Sequence, residues 1–185
     1  MLKVGILGST GRVGSLLIDD LLTDEVACVG SVHVSSKLTK TVPEDTVVTN
    51  DIQTLLDASD VIIDFSVPEA TEELLTTIVQ SGEGKPLVIA TTGFSEHQKN
   101  LLIEASKVVP VLYATNMSLG VAVLNKLVSI ASKTLAEFDC EIVEQHHRHK
   151  VDSPSGTALR MGEVVADALG RDLAKCAVYG REGRT

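Results

Sequence analysis

Between Glu144 and Leu159 the chain reads EQHHRHKVDSPSGTAL, which places His146, His147 and His149, three of its five histidines, beside Arg148 and Lys150. Imidazole titrates near neutral pH and can deliver a proton, and lysine and arginine attract anions. The run Ser155-Gly156-Thr157 follows and leads into apolar residues at helical spacing. Ser155 has the chemistry of an N-cap, Gly156 lets a ligand approach the backbone, and the N–H groups of Gly156 and Thr157 would point at an anion. The side chains of His147 and Lys150 would face the same anion. Three readings stand side by side: a metal site, a solvated charged loop, and an anion-binding catalytic site. No cysteine or carboxylate set accompanies the histidines, and the neighbouring cations repel a metal ion, so no metal is expected.

A second motif supplies a different chemistry. GSTGRVG puts Gly8, Gly11 and Gly14 directly after an apolar run, Leu2–Leu7, and before an amphipathic pattern. This is a variant of the dinucleotide fingerprint: the glycines permit a tight turn and close approach to a pyrophosphate, and the helix N-terminus attracts it. Arg12 adds a full charge. An acid that would bind ribose hydroxyls is missing, since Ser31–Val42 contains no carboxylate. Ser35, Ser36 and Lys37 could instead hold a 2′-phosphate, which favours NADPH, with NADH tolerated; the alternative is a solvated loop lysine. ATTGF (Ala90–Phe94) and ATNMS (Ala114–Ser118) follow two further predicted strands. Their small residues leave room for a nicotinamide ring, and Asn116 can bond a carboxamide or a substrate group, or both segments are ordinary turns. A carboxylate site, a proton donor and a hydride donor together describe reduction of an unsaturated dicarboxylic acid.

These groups need a frame, and the apolar pattern provides one. Strands are expected at Leu2–Leu7, Val26–Val34, Thr46–Thr49, Val61–Phe65, Pro86–Thr91 and Val109–Ala114. Between them lie helical patterns: Arg12–Leu22, a short helix capped by Asp51, one opened by Pro68, and one begun by the capping-box spacing Ser95–Gln98. Strands alternating with helices require right-handed crossovers and a mostly parallel sheet. The fold class is therefore α/β: a doubly wound, Rossmann-type dinucleotide-binding domain over residues 1–115. Residues 116–185 form a second, α+β domain that carries the histidine-rich stretch. It contains a long helix (Ser118–Leu135), a half-buried strand (Asp139–Gln145) and a helix (Thr157–Gly170).

Composition limits the alternatives. Of 185 residues 44% are hydrophobic, enough for a core, and the net charge of −9 argues against nucleic-acid binding. Cys28, Cys140 and Cys176 lack disulfide or zinc spacing and are expected to be reduced and mostly buried. No apolar run reaches membrane-spanning length and no signal peptide opens the chain, so a cytoplasmic protein without membrane contact is expected.

GSTGRVG, IDFSVPEAT, ATTGF, ATNMSLGV and EQHHRHKVDSPSGTAL together resemble the dihydrodipicolinate reductase (4-hydroxy-tetrahydrodipicolinate reductase) family, and the similarity runs over the whole chain. The resemblance implies NAD(P)H-dependent reduction of a cyclic dicarboxylate in diaminopimelate and lysine biosynthesis. It makes residues 116–185 the domain for substrate and oligomer contacts. It implies His146 as proton donor, assisted by Lys150 as an electrostatic stabiliser or second proton-transfer group. It implies His147, Lys150, Gly156 and Thr157 as substrate ligands. Gly8, Ser9, Thr10, Gly11, Arg12 and Val13, with Ala90, Thr91, Thr92, Ala114, Thr115, Asn116 and Met117, would hold the cofactor. Ala90 stands where the family usually has glycine. The family's chain normally continues past GREGRT, so this sequence is expected to be truncated within its second domain, and the full-length protein to be a homotetramer. A catalytically incompetent dinucleotide-binding fragment, or another Rossmann oxidoreductase of amino-acid metabolism, are the alternatives.

Overall fold

The computed structural model describes residues 1–146, 148, 150, 152–180 and 183–184. The chain divides into two compact units, Met1–Ala114 and Thr115–Thr185. The first is built on six strands: β1 (Leu2–Leu7), β2 (Ala27–His33), β3 (Val47–Thr49), β4 (Val61–Asp64), β5 (Leu87–Ile89) and β6 (Val111–Tyr113). They form one sheet in the order β3-β2-β1-β4-β5-β6, and every pairing is parallel. Helices α1 (Arg12–Leu21), α2 (Ile52–Asp57), α3 (Pro68–Ser81) and α4 (Glu96–Ala105) make the connections.

Both faces of the sheet are covered, which is why its strands read as continuous apolar runs. Val4 and Ile6 of β1 pack with Ile18 of α1 and with Val29 and Val32 of β2. Leu7 points to the opposite face, where it joins Leu55 and Leu56 of α2 and Leu74, Leu75 and Ile78 of α3. The helix starts follow local chemistry. Asp51 accepts the Thr54 N–H at 2.7 Å, Pro68 occupies the first turn of α3, and Ser95 and Gln98 complete a capping box. Gly82, at φ 70°, stops α3 in the left-handed conformation that glycine adopts without strain.

From β1 the chain builds outward to β3, then returns to place β4 on the other side of β1. That reversal is a switch point at the carboxyl ends of β1 and β4, the place where ligands bind in sheets of this kind.

The second unit holds α5 (Leu119–Thr134), α6 (Gly156–Ala168), α7 (Leu173–Cys176) and a two-stranded antiparallel ribbon of β7 (Asp152–Ser153) and β8 (Gly183–Arg184). Helix α6 packs on α5, and Leu173 of α7 lies against Gly162. The strand expected over Asp139–Gln145 does not form. Among the described residues no strand pairs with that segment, and Val143 is 82% exposed. Alternation of apolar residues selects a face but supplies no hydrogen-bonding partner, and an unpaired strand is not stable. The cysteines also differ from expectation: Cys140 and Cys176 are exposed and only Cys28 is partly covered. The second unit has little interior to hide a thiol, since Ala166 is its one buried apolar side chain among the described residues.

Candidate active site

The glycine loop fits a dinucleotide because side chains would fill it. Gly8 has φ 89°, and a Cβ there would lie 2.5 Å from the Phe65 carbonyl oxygen that follows β4. A Cβ on Gly14 would lie 2.2 Å from the Gly8 oxygen. These contacts let the turn after β1 run flat against the start of α1. The Gly11 N–H closes the turn onto the Gly8 oxygen at 3.0 Å. Gly11 is also the N-cap of α1 and brings no capping side chain. The first-turn N–H groups of α1 are thus left for an anion. Ser9 is fully buried and donates to the His33 carbonyl at 2.5 Å. Its side chain ties the loop to the end of β2, and Thr10, Arg12 and Val13 line the outer side of the turn, Arg12 and Val13 being exposed.

Asp64, which ends β4, is fully buried and is the residue that sequence reasoning passed over. Its Oδ1 accepts the Ser66 N–H at 2.9 Å, the Ser66 hydroxyl at 2.5 Å and the Thr91 hydroxyl at 2.9 Å, and its Oδ2 accepts the Thr71 hydroxyl at 2.5 Å. One carboxylate thereby links the turn after β4, the first turn of α3 and the turn after β5. The hydroxyl of Thr91 is committed to this link, and the residue is 3% exposed, while Thr92 beside it is exposed. Ala90 is joined to the same strand end through its N–H to the Asp64 carbonyl at 2.9 Å. The signal was present in IDFS, an acid closing a strand that is otherwise apolar. Beyond β2, Ser35 and Lys37 are exposed, and Val34 caps the strand edge with an N–H to Thr49. Ala114 is half-buried at the end of β6, its N–H bonded to the Ile89 carbonyl.

In the second unit the N-terminus of α6 gathers several expected groups. Ser155 is the N-cap: its hydroxyl accepts the Ala158 N–H at 3.1 Å. Gly156 is exposed with open space where a Cβ would stand, and Thr157 accepts from the Asn116 amide at 3.1 Å. The Asn116 carbonyl oxygen accepts the Ser118 N–H at 2.8 Å, so Asn116 links the starts of α5 and α6. Thr115 and Met117 on either side of it are exposed. His147 lies outside the described residues. His146 is partly exposed, with Nδ1 3.5 Å from a Glu144 oxygen.

Glu144, the acid that opens the motif and to which the sequence assigns no role, is the hub of this end. One oxygen accepts the Ser155 N–H at 2.8 Å, and the other accepts the Ser155 hydroxyl and faces His146. Burial pushes the Glu144 carboxyl up, but the two Ser155 donors and the positive charges of His146 and Lys150 outweigh it and hold it below the usual glutamate range. Among the described residues no group of three His, Cys, Asp or Glu side chains is arranged to hold a metal, and no helix is long and apolar enough to cross a membrane.

Residues 2–117 match the family model described as dihydrodipicolinate reductase, N-terminus, and residues 120–183 match dihydrodipicolinate reductase, C-terminus. The chain is 66% identical over 183 residues to a 4-hydroxy-tetrahydrodipicolinate reductase of Aliarcobacter butzleri, and 56% identical to that of Wolinella succinogenes. Each alignment covers 99% of this chain and 71% of the relative. A solved dipicolinate-bound dihydrodipicolinate reductase from Paenisporosarcina sp. TG-14 shares the fold, with a TM-score of 0.76 at 24% identity, over 99% of this chain and 71% of that one. On both family models and on these identities, the chain belongs to the dihydrodipicolinate reductase family of nicotinamide-dependent oxidoreductases.

Proposed function

We propose that this chain reduces 4-hydroxy-tetrahydrodipicolinate to tetrahydrodipicolinate, a step of diaminopimelate and lysine biosynthesis. The observation that carries the reading is the meeting of His146, Glu144 and the N-terminus of α6, with Lys150 charging the same end. A bound nicotinamide dinucleotide supplies the hydride. Gly8 to Val13 would cradle its pyrophosphate, and Ala90 to Thr92 with Ala114 to Met117 would flank the nicotinamide half. Ser35 and Lys37 would favour NADPH over NADH, because a 2′-phosphate there meets a cation and no carboxylate.

The substrate carries two carboxylates. The N–H groups of Gly156 and Thr157, with Lys150 and His147, would bind them by charge and by hydrogen bonds that fix the ring's orientation. His146 would deliver the proton from Nε2, since Nδ1 is turned toward Glu144. Lys150 would offset negative charge that develops on the ring as hydride arrives, an effect felt in both the ground state and the transition state. The same reading implies a homotetramer in the cytoplasm.

Substrate-dependent oxidation of NADPH tests the assignment, run with each cofactor. His146→Gln should lower kcat by roughly 10²- to 10⁴-fold with little change in cofactor binding. Cofactor binding without turnover in the unaltered chain would favour a non-catalytic dinucleotide-binding fragment. A clear preference for NADH would remove the role given to Lys37.

A further inference from the structure

We propose that Glu144 is a positioning residue for this reaction, joining the proton donor to the helix end that binds the substrate; the inference rests on the roles given above to His146 and α6. A charge contact and three hydrogen bonds connect the two ends. Nδ1 of His146 lies 3.5 Å from the Glu144 carboxylate, the carboxylate takes both the N–H and the hydroxyl of Ser155, and the Ser155 hydroxyl takes the Ala158 N–H in the first turn of α6. Ser155 is 3% exposed, so the cap at the start of α6 is shielded from water, while the Glu144 side chain is 29% exposed.

Two physical consequences follow. A carboxylate facing Nδ1 holds a proton on that nitrogen when the ring is neutral, leaving Nε2 to give and regain the transferred proton. The same connection fixes the imidazole relative to the N–H groups of Gly156 and Thr157, so proton donor and carboxylate anchor move together. Glu144 does not serve substrate affinity directly. It is an anion beside a site for anions, and its charge opposes ground-state binding. Its contribution must then appear in turnover.

That difference separates positioning from simple support of the helix. In Glu144→Gln the amide oxygen can still take the Ser155 N–H, but the NH2 group must then donate to the Ser155 hydroxyl and faces Nδ1, reversing the polarity of both contacts. The expected result is a kcat lower by roughly tenfold or more, a substrate KM unchanged or reduced, and only a small loss of Tm at neutral pH. Histidine 15N shifts give a readout that needs no turnover. The His146 signal, assigned by its loss in His146→Gln, should report the Nδ1–H tautomer at high pH and switch toward Nε2–H in Glu144→Gln. Glu144→Asp, which keeps the charge, should retain the Nδ1–H tautomer and recover part of kcat. Full kcat in Glu144→Gln, an unchanged tautomer, or a KM that rises in step with a falling Tm would overturn the proposal. Wild-type turnover in His146→Gln would remove the proton-donor reading and this inference with it. An inactive His146→Gln beside a fully active Glu144→Gln would remove this inference alone.

Discussion

Asp64→Asn probes the carboxylate beneath the proposed cofactor crevice with almost no change in shape. Asp64 accepts four hydrogen bonds, three on Oδ1 from Ser66 N–H, Ser66 hydroxyl and Thr91 hydroxyl, and one on Oδ2 from Thr71 hydroxyl. The Ser66 backbone N–H cannot become an acceptor, so the new amide must keep its oxygen at the Oδ1 position. Its NH2 group then meets the Thr71 hydroxyl, which has to turn. Thr71 has another acceptor within reach, the Val67 carbonyl at 3.3 Å. The loss is therefore one reversed bond plus the charge assistance on the other three. Bonds to a charged group contribute about 1 kcal/mol more than neutral ones, and part of that is offset because a charge is no longer buried. A net destabilisation of about 2 kcal/mol is expected, which lowers Tm by roughly 4–8 °C for a chain of this length. Dinucleotide affinity should fall with it, because Ser66 and Thr91 shape the turns after β4 and β5. Calorimetry and a dinucleotide titration measure the two effects. An unchanged or raised Tm would show that desolvation of the carboxylate outweighs its four bonds and would refute the reasoning.

Gly14→Ala sets helix propensity against a collision: the new Cβ would lie 2.2 Å from the Gly8 carbonyl oxygen, so the collision should win by about 1–3 kcal/mol and weaken dinucleotide binding. Gly120→Ala in α5, where the nearest atom is the Ser118 hydroxyl at 3.6 Å, should instead stabilise by about 0.5–1 kcal/mol; equal signs in urea denaturation would contradict the packing argument. The Glu144 carboxyl is held below its ordinary value of 4.5, so its contribution is complete above that pH and disappears as pH falls through its lower folded value. The difference in urea midpoint between the protein and Glu144→Gln should accordingly be flat above pH 4.5 and shrink below it, and a difference that persists undiminished into acid would be inconsistent with the Ser155 contacts.

Much of the first unit was legible because its signals are local. The glycine spacing, the Asp51 and Ser95 caps and the apolar runs each act over a few residues, and parallel pairing follows from alternating strands and helices. Asp64 stood out in IDFS only as an acid closing an apolar strand; its bonding role was not legible, because it depends on Thr71 and Thr91, which reach it only once α3 and β5 are packed. Glu144 was hidden for a similar reason: its partner Ser155 is eleven positions away, and the intervening cations made the acid look like a flanking charge. Asp139–Gln145 misled in the opposite direction. Its alternation is a sound local signal, but strand formation needs a neighbour that the pattern does not specify.

On the proposed reading, the two helix starts give an acidic chain places for anions without much basic surface. At α1 the N-cap is Gly11, which brings no side chain, so the first-turn N–H groups face outward and the flat turn of Gly8 lets a pyrophosphate approach them. At α6 the N-cap is Ser155, whose hydroxyl satisfies Ala158 and is itself held by Glu144. That leaves the N–H groups of Gly156 and Thr157, ahead of Ala158, for a ligand, and it brings a histidine to the same end. A glycine at position 155 would still permit the helix, yet it would remove the hydroxyl that fixes the Glu144 carboxylate. A serine at position 11 would turn its hydroxyl onto the N–H groups that, on the proposed reading, face the pyrophosphate. On the proposed reading, the choice of cap residue therefore distinguishes a helix end that would only bind an anion from one that would also hold a proton donor in place.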